Sequence, residues 1–566
     1  MSSSLIDSLL VGAENQPDLP LYYFLDSRGQ QYAELSYSSL LAAVQRLGTW
    51  LNQKTAASDR VALQLPTSPE FVISFFACLY ANRIPVPLSS PNRRHNCEHY
   101  QKIFADCDAS LAIADPSVRD LFAKENLAAV SKIATFPALD FEPLQAPVDR
   151  QGNEIAFLQY TSGSTSFPKG VMVSHENIIA NQKMIQRAFG HSSTSVGLTW
   201  VPLFHDMGLI GSVFQPLYVG FPCYFMSPVT FLQRPKLWFK TISDKKVTTT
   251  GGPNFAYELC VKRIAPDSLT DISLSSWDVA YNGAEHIKLD TLQKFHDTFT
   301  AIGFQKSAFL PCYGLAEATL IVSGADKSQE LLALTIPCNQ DDVLDGDAAQ
   351  RSGNTRTVVS NGQIAPELSA LVINPQTLTQ CPSHHIGEIW VAGASITLGY
   401  WQKPKQTQET FVYRNGKRFL RTGDLGFLDS QHRLYITGRL KDLIAIEGKN
   451  YYPQDIEETV RRSHPALADV NCAVFSVPST YSQKLVVVSE VVRQFAQQID
   501  RYADEIAEIV KISVYNHYQL RVHETVLLPI NSIPKTTSGK IQRQRTKLLY
   551  LLQQLESLEK IAISGE

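Results

Sequence analysis

The sequence predicts an α/β fold with a large N-terminal domain of sheets flanked by helices, a β-rich subdomain, and a small, mobile α+β C-terminal domain. Helical and strand patterns alternate through the first third of the 566 residues, which favours helices packed on sheets. Segments with strand texture and tight turns then occupy residues 364–443, and a smaller mixed unit follows Lys441. We therefore predict an N-terminal domain of residues 1–437, its β-rich subdomain at about 364–437, and a C-terminal domain of residues 438–566.

Individual elements follow from the spacing of apolar residues. Helical spacing predicts helices over 39–51, 70–80, 176–189, 454–462 and 503–520. Short apolar or alternating runs predict strands over 61–65, 84–88, 155–159, 277–281, 388–391, 419–421 and 433–436. The leucine-rich run 547–561 predicts an amphipathic helix packed on its own domain, with a partner-docking helix as the alternative. Residues 325–362 are largely polar without a clear period, and we interpret them as an insertion.

Composition narrows the class of protein. A net charge of -3 gives no reason to expect nucleic acid as a partner. The nine cysteines include no C-x-x-C pair, which argues against a zinc site and favours reduced thiols in a cytoplasmic protein. The start lacks the basic region of a secretory signal, and the clearest apolar run, 71–81, is too short to cross a bilayer. We expect no stable membrane insertion.

The first chemical motif is the loop 160–170, Y-T-S-G-S-T-S-F-P-K-G. Its hydroxyl residues surround Gly163, so the loop can present hydroxyl and backbone donors to one polyanion. It differs from the Walker-type phosphate loop because Lys169 is followed by Gly170 rather than by Ser or Thr. Taken alone, such a cluster is equally consistent with a simple turn.

Further motifs downstream supply the other groups that a nucleotide site needs. N-G-A-E at 282–285 follows a predicted strand, where its glycine could let a flat ligand lie against the backbone. In P-C-Y-G-L-A-E at 311–317, Tyr313 offers an aromatic face and Glu317 an oxygen ligand for Mg²⁺. Each of these residues alone is more often structural.

Two motifs near the C-terminal end add charge. Asp424, in R-T-G-D-L-G, is a carboxylate on a glycine-flanked turn that can accept hydrogen bonds from a ribose diol, and Arg439 supplies a cation close in sequence. Lys540 lies on the glycine-containing turn P-K-T-T-S-G-K-I, where the ordinary alternative is a solvated surface lysine. The combination of these motifs in one order is more specific than any one of them.

In that order, the motifs resemble those of the adenylate-forming enzymes, which include acyl-CoA synthetases, luciferases and peptide-synthetase adenylation domains. The resemblance covers residues 35–547, nearly the whole chain. The stretches V-P-L-F-H-D-M-G-L at 201–209, R-L-K-D-L-I at 439–444 and G-K-N-Y-Y-P-Q-D-I-E at 448–457 resemble the fatty acyl-AMP ligases in particular.

The resemblance implies that ATP and Mg²⁺ are used to convert a medium- or long-chain fatty acid into acyl-AMP and pyrophosphate. The acyl group then passes to the phosphopantetheine thiol of an acyl carrier protein supplied in trans. By resemblance, the catalytic residues are Lys540, His205 and Glu317, with Glu317 also the metal ligand. The implied ATP-binding residues are Thr161, Ser162, Gly163, Ser164, Thr165, Asn282, Gly283, Ala284, Glu285, Tyr313, Gly314, Ala316, Asp424 and Arg439. Within the loop 160–170, the resemblance gives the weakest support for a phosphate contact to Lys169.

The resemblance also implies a hinge at Lys441, about which the C-terminal domain swings between the two half-reactions. An insertion in residues 325–362 would hinder the arrangement that uses free CoA. An apolar channel for the acyl chain is expected from the stretches 209–214 and 231–239. The alternatives left open are an acyl-CoA synthetase, a peptide-synthetase adenylation domain and a non-catalytic nucleotide-binding protein.

Overall fold

The computed structural model describes residues 4–91, 97–125, 131–147, 154–161, 168–325, 331–337, 355–446, 449–478, 483–536 and 539–558. The predicted phosphate contacts of Ser162, Gly163, Ser164 and Thr165 lie outside these residues. So do residues 326–330 and 338–354 of the predicted insertion.

A large sheet organises the N-terminal part of the chain. Nine of the described strands form it, parallel in the middle and antiparallel at both edges. In spatial order the strands are Gln363–Ile364, Ile321–Gly324, Phe309–Gly314, Val279–Asn282, Thr249–Gly252, Gly197–Thr199, Cys223–Phe225, Pro20–Leu25 and Gln31–Ser36. The parallel strands end at one edge of the sheet, the place where ligands bind in open α/β sheets.

A second sheet and a hairpin lie beside it. The second sheet is parallel, with the order Ile84–Pro87, Arg60–Gln64, Ala109–Ala114 and Ile133–Thr135. The hairpin pairs Ile155–Thr161 with Lys169–Ser174 and places Thr161 opposite Lys169. This pairing fixes the two ends of the predicted phosphate loop next to each other.

Helices cover the sheets, and those that apolar spacing predicts are confirmed to within a few residues. Local signals explain their starts: Ser36 and Ser174 form capping boxes, and Pro69 occupies a first helical position. The described helices of this part are Leu5–Asn15, Tyr37–Lys54, Pro69–Tyr80, Cys97–Asp106, Pro116–Lys124, His175–Phe189, Asp206–Leu209, Gln215–Val219, Pro228–Gln233, Pro235–Lys245, Asn254–Arg263, Leu289–Phe299 and Pro404–Thr410. Among the described residues, no helix is both long enough and apolar enough to span a lipid bilayer.

The β-rich part follows, as predicted. Five described strands form its sheet: Ser369–Ile373, Gly387–Ala392, Lys417–Leu428, Phe411–Arg414 and Leu434–Arg439. Within the segment 325–362, where the sequence shows no clear period, Ala333–Pro337 and Thr355–Val359 pair as antiparallel strands. Ile336 and Val358 are buried in a small core with Tyr435. Each short strand contributes too few apolar residues for a period to be visible in the sequence.

The remaining residues form a smaller unit with its own cores. Its strands are Ile444–Ile446, Lys449–Tyr451, Cys472–Pro478, Gln483–Glu490 and Val522–Leu528, and its helices are Pro453–Ser463, Arg493–Ala496, Ile499–Tyr518 and Arg543–Leu551. The helix predicted over 547–561 is therefore wrong in its extent. Gln553 adopts a left-handed conformation, with φ 56°, just after the helix, and Leu555 and Leu558 are buried in the unit's cores.

Candidate active site

A large cavity of about 2860 Å³ lies between the carboxyl edge of the large sheet, the β-rich part and the C-terminal unit. Among the described residues, most of those predicted from the sequence line it. They are Thr161, His205, Ala284, Glu285, Tyr313, Gly314, Ala316, Glu317, Asp424, Arg439, Lys441 and Lys540. Asn282 is fully buried at the end of its strand, and neither it nor Gly283 lines the cavity.

Asp424 is held between an aromatic residue and a cation. The Tyr313 hydroxyl donates to Asp424 Oδ2 at 2.7 Å, and Arg439 Nε lies 2.8 Å from Asp424 Oδ1. Antiparallel pairing of the strands places Asp424 opposite Arg439. Burial and the nearby carboxylate raise the pKa of the Tyr313 phenol, while Asp424 raises the pKa of the Arg439 guanidinium. Asp424 thus presents an oriented carboxyl group beside an aromatic ring.

Lys540 reaches this cavity from the C-terminal unit. Its turn is closed on both sides, because Lys540 N donates to Thr536 Oγ1 at 3.0 Å and Thr536 N donates to Lys540 O at 2.8 Å. Desolvation in the cleft and the positive charge of Arg439 lower the pKa of Lys540, although Asp206 and Glu285 act in the opposite direction. The ammonium group therefore lies among groups of both signs, where added negative charge stabilises its protonated form.

His205 begins the segment that carries Asp206. The segment is helical from Asp206 and widens into a π-helix over Ile210–Phe214, a distortion that is frequent at functional sites. His205 Nδ1 lies 2.6 Å from Asp206 Oδ1. Burial alone would raise the pKa of Asp206, but His205 and Lys540 hold it below its ordinary value. Asp206 is a site residue that the sequence interpretation passed over, although it stands inside the quoted stretch.

Glu317 faces the cavity near the predicted phosphate loop. Tyr400 donates its hydroxyl hydrogen to Glu317 Oε1 at 2.8 Å, and Lys169 Nζ lies 4.7 Å from the centroid of the Tyr400 ring. Burial and Glu317 raise the pKa of the Tyr400 phenol. Lys169, doubted from the sequence, lines the cavity beside Thr161. One carboxylate near the predicted phosphate loop fits the way Mg²⁺ binds, through one or two carboxylates and phosphate oxygens.

In the N-G-A-E segment, Gly283 has a different role from the one expected from the sequence. A Cβ at Gly283 would lie 2.8 Å from the Cys312 sulfur and 3.0 Å from its carbonyl oxygen. The glycine therefore permits close packing of neighbouring strands instead of the approach of a ligand. Ala284 lines the cavity with a positive φ of 68°, and Glu285 accepts a 2.6 Å hydrogen bond from Phe255 N. Burial raises the pKa of Glu285.

The predicted hinge residue lies in a short turn, Leu440–Asp442, which joins the β-rich part to the C-terminal unit. Gln544 Nε2 donates to the Lys441 carbonyl at 3.0 Å. Arg543 lies 3.7 Å from Asp442 and forms a buried pair with Glu457, its Nε 2.6 Å from Glu457 Oε1. The one signal for Arg543 in the sequence is its position three residues after Lys540.

Of the two stretches expected to line an apolar channel, 209–214 contributes to the cavity wall and 231–239 is mostly buried elsewhere. Gly211 and Ser212, from the stretch 209–214, line the cavity. From the stretch 231–239, Phe231, Trp238 and Phe239 are fully buried in the core on the other side of the sheet. Leu232 lines the cavity but belongs to the outer surface, with 44% of its area exposed.

Comparison with known proteins gives two family matches. Residues 11–401 match the AMP-binding enzyme family, and residues 441–560 match the AMP domain of Disco-interacting protein 2-like proteins. The chain is 37% identical over 576 residues to the medium-chain-fatty-acid–[acyl-carrier-protein] ligase JamA of Moorena producens, covering 98% of this chain and 96% of JamA. It is 32% identical to the ligase TtuA of the same description from Teredinibacter turnerae, covering 95% and 92%.

A solved structure agrees with these matches. The fatty acyl-adenylate ligase from L. pneumophila, in complex with acyl adenylate and pyrophosphate, superposes with a TM-score of 0.75 at 36% identity. The superposition covers 97% of this chain and 96% of that one.

Proposed function

The chain belongs to the AMP-binding enzyme family and is similar along its whole length to fatty acyl-AMP ligases, and from that premise we propose its reaction. The enzyme activates a medium-chain fatty acid with ATP and transfers the acyl group to the phosphopantetheine thiol of an acyl carrier protein. The observation that carries the proposal is the convergence of Lys540, Asp424 and Glu317 on one cavity from three separate parts of the chain.

In the first step, a carboxylate oxygen of the fatty acid bonds to the α-phosphorus of ATP while the bond to the pyrophosphate oxygen breaks. The products are acyl-AMP and pyrophosphate. Two anions must approach each other, so the site has to neutralise charge in a position that excludes water. We assign to the Lys540 ammonium the contact with both the carboxylate and the α-phosphate. Desolvation and Arg439 lower its pKa, and the negative charge of Asp206 partly offsets them.

The remaining predicted residues bind and orient the nucleotide. Tyr313 supplies an aromatic face for the adenine, and Asp424 accepts hydrogen bonds from the ribose hydroxyls while Arg439 holds it. Thr161, Lys169 and the loop between them receive the β- and γ-phosphates. Glu317 is the residue that would hold Mg²⁺, whose charge neutralises the phosphate oxygens.

In the second step, the thiol sulfur bonds to the acyl carbonyl carbon, the bond to AMP breaks, and the thiol proton leaves to solvent or a base. The products are a thioester and AMP. Lys540 is not needed for this step. A rotation of residues 438–566 about Lys441 would withdraw Lys540 and open the cavity to the thiol, a gating motion of the hinge type.

We propose that the choice between carrier protein and free CoA as acyl acceptor depends on contacts that hold the C-terminal unit against the rest of the chain. Arg356, in the strand Thr355–Val359 near the end of the predicted insertion, lies 3.2 Å from Asp455 Oδ2 and 3.8 Å from the centre of the Tyr452 ring. Its Nη1 also donates to the Thr437 carbonyl at 3.1 Å. These contacts oppose free rotation of the unit, and we propose that carrier protein rather than free CoA supplies the binding energy that overcomes them.

Incubation with ATP, Mg²⁺ and decanoic acid, followed by mass spectrometry, tests the first step through the appearance of acyl-AMP. Addition of phosphopantetheinylated carrier protein or of CoA then tests the acceptor. The proposal predicts a carrier-bound thioester and little acyl-CoA. Equal transfer to CoA would identify an acyl-CoA synthetase instead. Cys107, Cys223, Cys260, Cys312 and Cys472 are free thiols, which supports a reducing, cytoplasmic compartment for these reactions.

A further inference from the structure

One arm of the cavity runs along the face of the large sheet under the helix His175–Phe189, and we call it the acyl channel. Ile185, Ser212, Leu320 and Tyr281 are among the residues that line it. It is the apolar branch of the cavity that a fatty acyl chain can enter once its carboxylate lies at the α-phosphate.

Strand register gives the depth of each residue along this channel. Gly251 pairs with Tyr281, while Thr249 pairs with Gly197, which in turn pairs with Cys223. Residues two positions apart face the same side of a sheet and lie about 6.6 Å apart along it. Tyr281 and Gly251 therefore lie at the same depth along the channel, which we call the first level. Thr249, Gly197 and Cys223 form a second level, which is farther from the carboxyl edge where the nucleotide groups lie.

Tyr281 crosses the channel at the first level. A Cβ at Gly251 would lie 2.8 Å from Tyr281 Cγ. The tyrosine ring therefore occupies the space that a side chain at position 251, in the neighbouring strand, would fill. Burial raises the pKa of the Tyr281 phenol, and the nearby side chains of Ser212 and Thr199, on the far side of that strand, act in the opposite direction. The Tyr281 side chain thus extends from one wall of the channel to the other, and we call this side chain the bar.

The helix above closes the remaining gap. The Phe189 and Tyr281 rings stack with centroids 5.8 Å apart and planes 20° from parallel. A methylene chain passing between two rings needs about 7 Å from ring to ring, since each carbon–carbon contact is about 3.5–4 Å. The pair as it stands therefore excludes an alkyl chain.

Space continues beyond the bar. Cys223, Gly197, Thr249, His191 and Phe221 line the cavity at the second level. Its end is closed by His191, whose Nε2 lies 3.1 Å from Thr249 Oγ1 and whose ring packs 5.0 Å from that of Phe221. The chain thus contains a deeper chamber that is separated from the nucleotide site by one side chain.

We propose that Tyr281 is the residue that limits the length of the fatty acid, so that acids ending before the bar are adenylated and longer ones are rejected. The inference rests on the proposed function and specifies its substrate class. Tyr281 touches the end of the acyl chain and takes no part in the chemistry. Removal of the bar should let additional methylenes enter the chamber, each strengthening transition-state binding by about fourfold.

The experiment compares kcat/KM for acyl-AMP formation across saturated acids from hexanoic to hexadecanoic acid. Tyr281→Ala removes the bar, and Tyr281→Phe is the matched control that keeps the ring over Gly251. We expect the longest accepted acid to increase by several carbons in Tyr281→Ala, with a gain of about tenfold or more for it relative to octanoic acid. Tyr281→Phe should keep the wild-type profile. Cys223→Leu, which fills the chamber, should leave the wild-type profile unchanged and reverse the gain in the double variant.

The outcomes separate the two proposals. Absence of acyl-AMP from the wild-type protein with every acid would overturn the proposed function. Normal acyl-AMP formation with the same length profile in wild type and folded Tyr281→Ala would overturn only the role of Tyr281. If Tyr281→Ala does not fold, Tyr281→Leu takes its place, because leucine fills the site over Gly251 but cannot reach Ser212. An unchanged profile there counts equally against the proposal.

Discussion

Tyr313 donates its hydroxyl hydrogen to Asp424 across 2.7 Å, joining the last parallel strand of the large sheet to the longest strand of the β-rich part. The bond fixes the tyrosine ring and the carboxylate relative to each other inside the cavity. Because Arg439 binds the other oxygen of Asp424, the carboxylate is oriented from two directions. A site preorganised in this way can bind a nucleoside without first reordering its own side chains.

The first prediction concerns nucleoside binding by Asp424. Asp424→Asn removes the charge that accepts hydrogen bonds from the ribose, so the Kd for ATP should rise about tenfold or more, the loss expected for a charged hydrogen bond. Isothermal titration calorimetry of the free protein measures this directly. Tyr313→Phe, which keeps the aromatic face and loses only the bond to Asp424, should have the smaller effect. An unchanged Kd in Asp424→Asn would exclude the carboxylate from the ribose site.

The second prediction concerns pH. Desolvation and Arg439 lower the pKa of Lys540, and only the protonated ammonium can neutralise developing negative charge. The kcat/KM for acyl-AMP formation should therefore fall as pH rises, with a midpoint below the ordinary lysine value of about 10.4. Arg439→Gln removes a neighbouring positive charge and should move that midpoint to higher pH. Arg433→Gln, at a guanidinium that pairs with Asp429, is the control. A midpoint that stays in place in Arg439→Gln would contradict the electrostatic account.

The third prediction concerns magnesium. Glu317→Gln keeps the hydrogen-bond acceptor for Tyr400 but removes the negative charge, so half-maximal activity should need at least about tenfold more Mg²⁺, a loss seen even for outer-shell partners of metal ligands. A Mg²⁺ titration at saturating ATP measures it. Glu367→Gln, at a carboxylate paired with Arg187 away from the cavity, should behave as wild type. Equal Mg²⁺ requirements in both variants would remove Glu317 from the metal site.

The fourth prediction concerns the acceptor. Arg356 and Asp455 are 9% and 14% exposed, and breaking such a buried pair on one side costs about 3–5 kcal/mol. Arg356→Met should free the C-terminal unit and raise acyl transfer to CoA relative to carrier protein, measured by chromatography of acyl-CoA. Arg187→Met, which breaks only a surface pair, is the control.

Deletion of residues 341–351 tests the predicted insertion in the same assay and should also increase transfer to CoA. A folded deletion protein that gains no transfer to CoA would show that the insertion does not set acceptor choice. Both changes fall within the predicted insertion 325–362, since Arg356 lies in the strand Thr355–Val359, shortly after the deleted residues.

Local signals were sufficient for much of this fold. Capping boxes at Ser36 and Ser174 mark helices that the apolar spacing already indicates. The order of the motifs indicated which residues share a site, but not the contacts between them. The bond from Tyr313 to Asp424 joins residues 111 positions apart, and no periodicity reports such a distance.

The sequence interpretation was wrong where contacts between distant parts of the chain decide the role of a residue. Gly283 packs against Cys312, a reason for glycine that depends on a neighbouring strand. The leucine-rich C-terminal run has helical spacing, yet the chain turns at Gln553 and buries Leu555 and Leu558 in the cores of the unit. In the sequence, Tyr281 is only one residue of a predicted strand. The length of its side chain becomes important because Gly251 lies beside it in the neighbouring strand.

The central claim is that Lys540 promotes formation of acyl-AMP, and single-turnover kinetics with ATP and decanoic acid test it most directly. Lys540→Ala should form acyl-AMP slower than wild type by orders of magnitude, with the Kd for ATP little changed, while Lys547→Ala on the following helix should match wild type. Transfer of added acyl-AMP to carrier protein should survive in Lys540→Ala, because that step does not use the lysine. Near-normal release of pyrophosphate by Lys540→Ala would contradict the account.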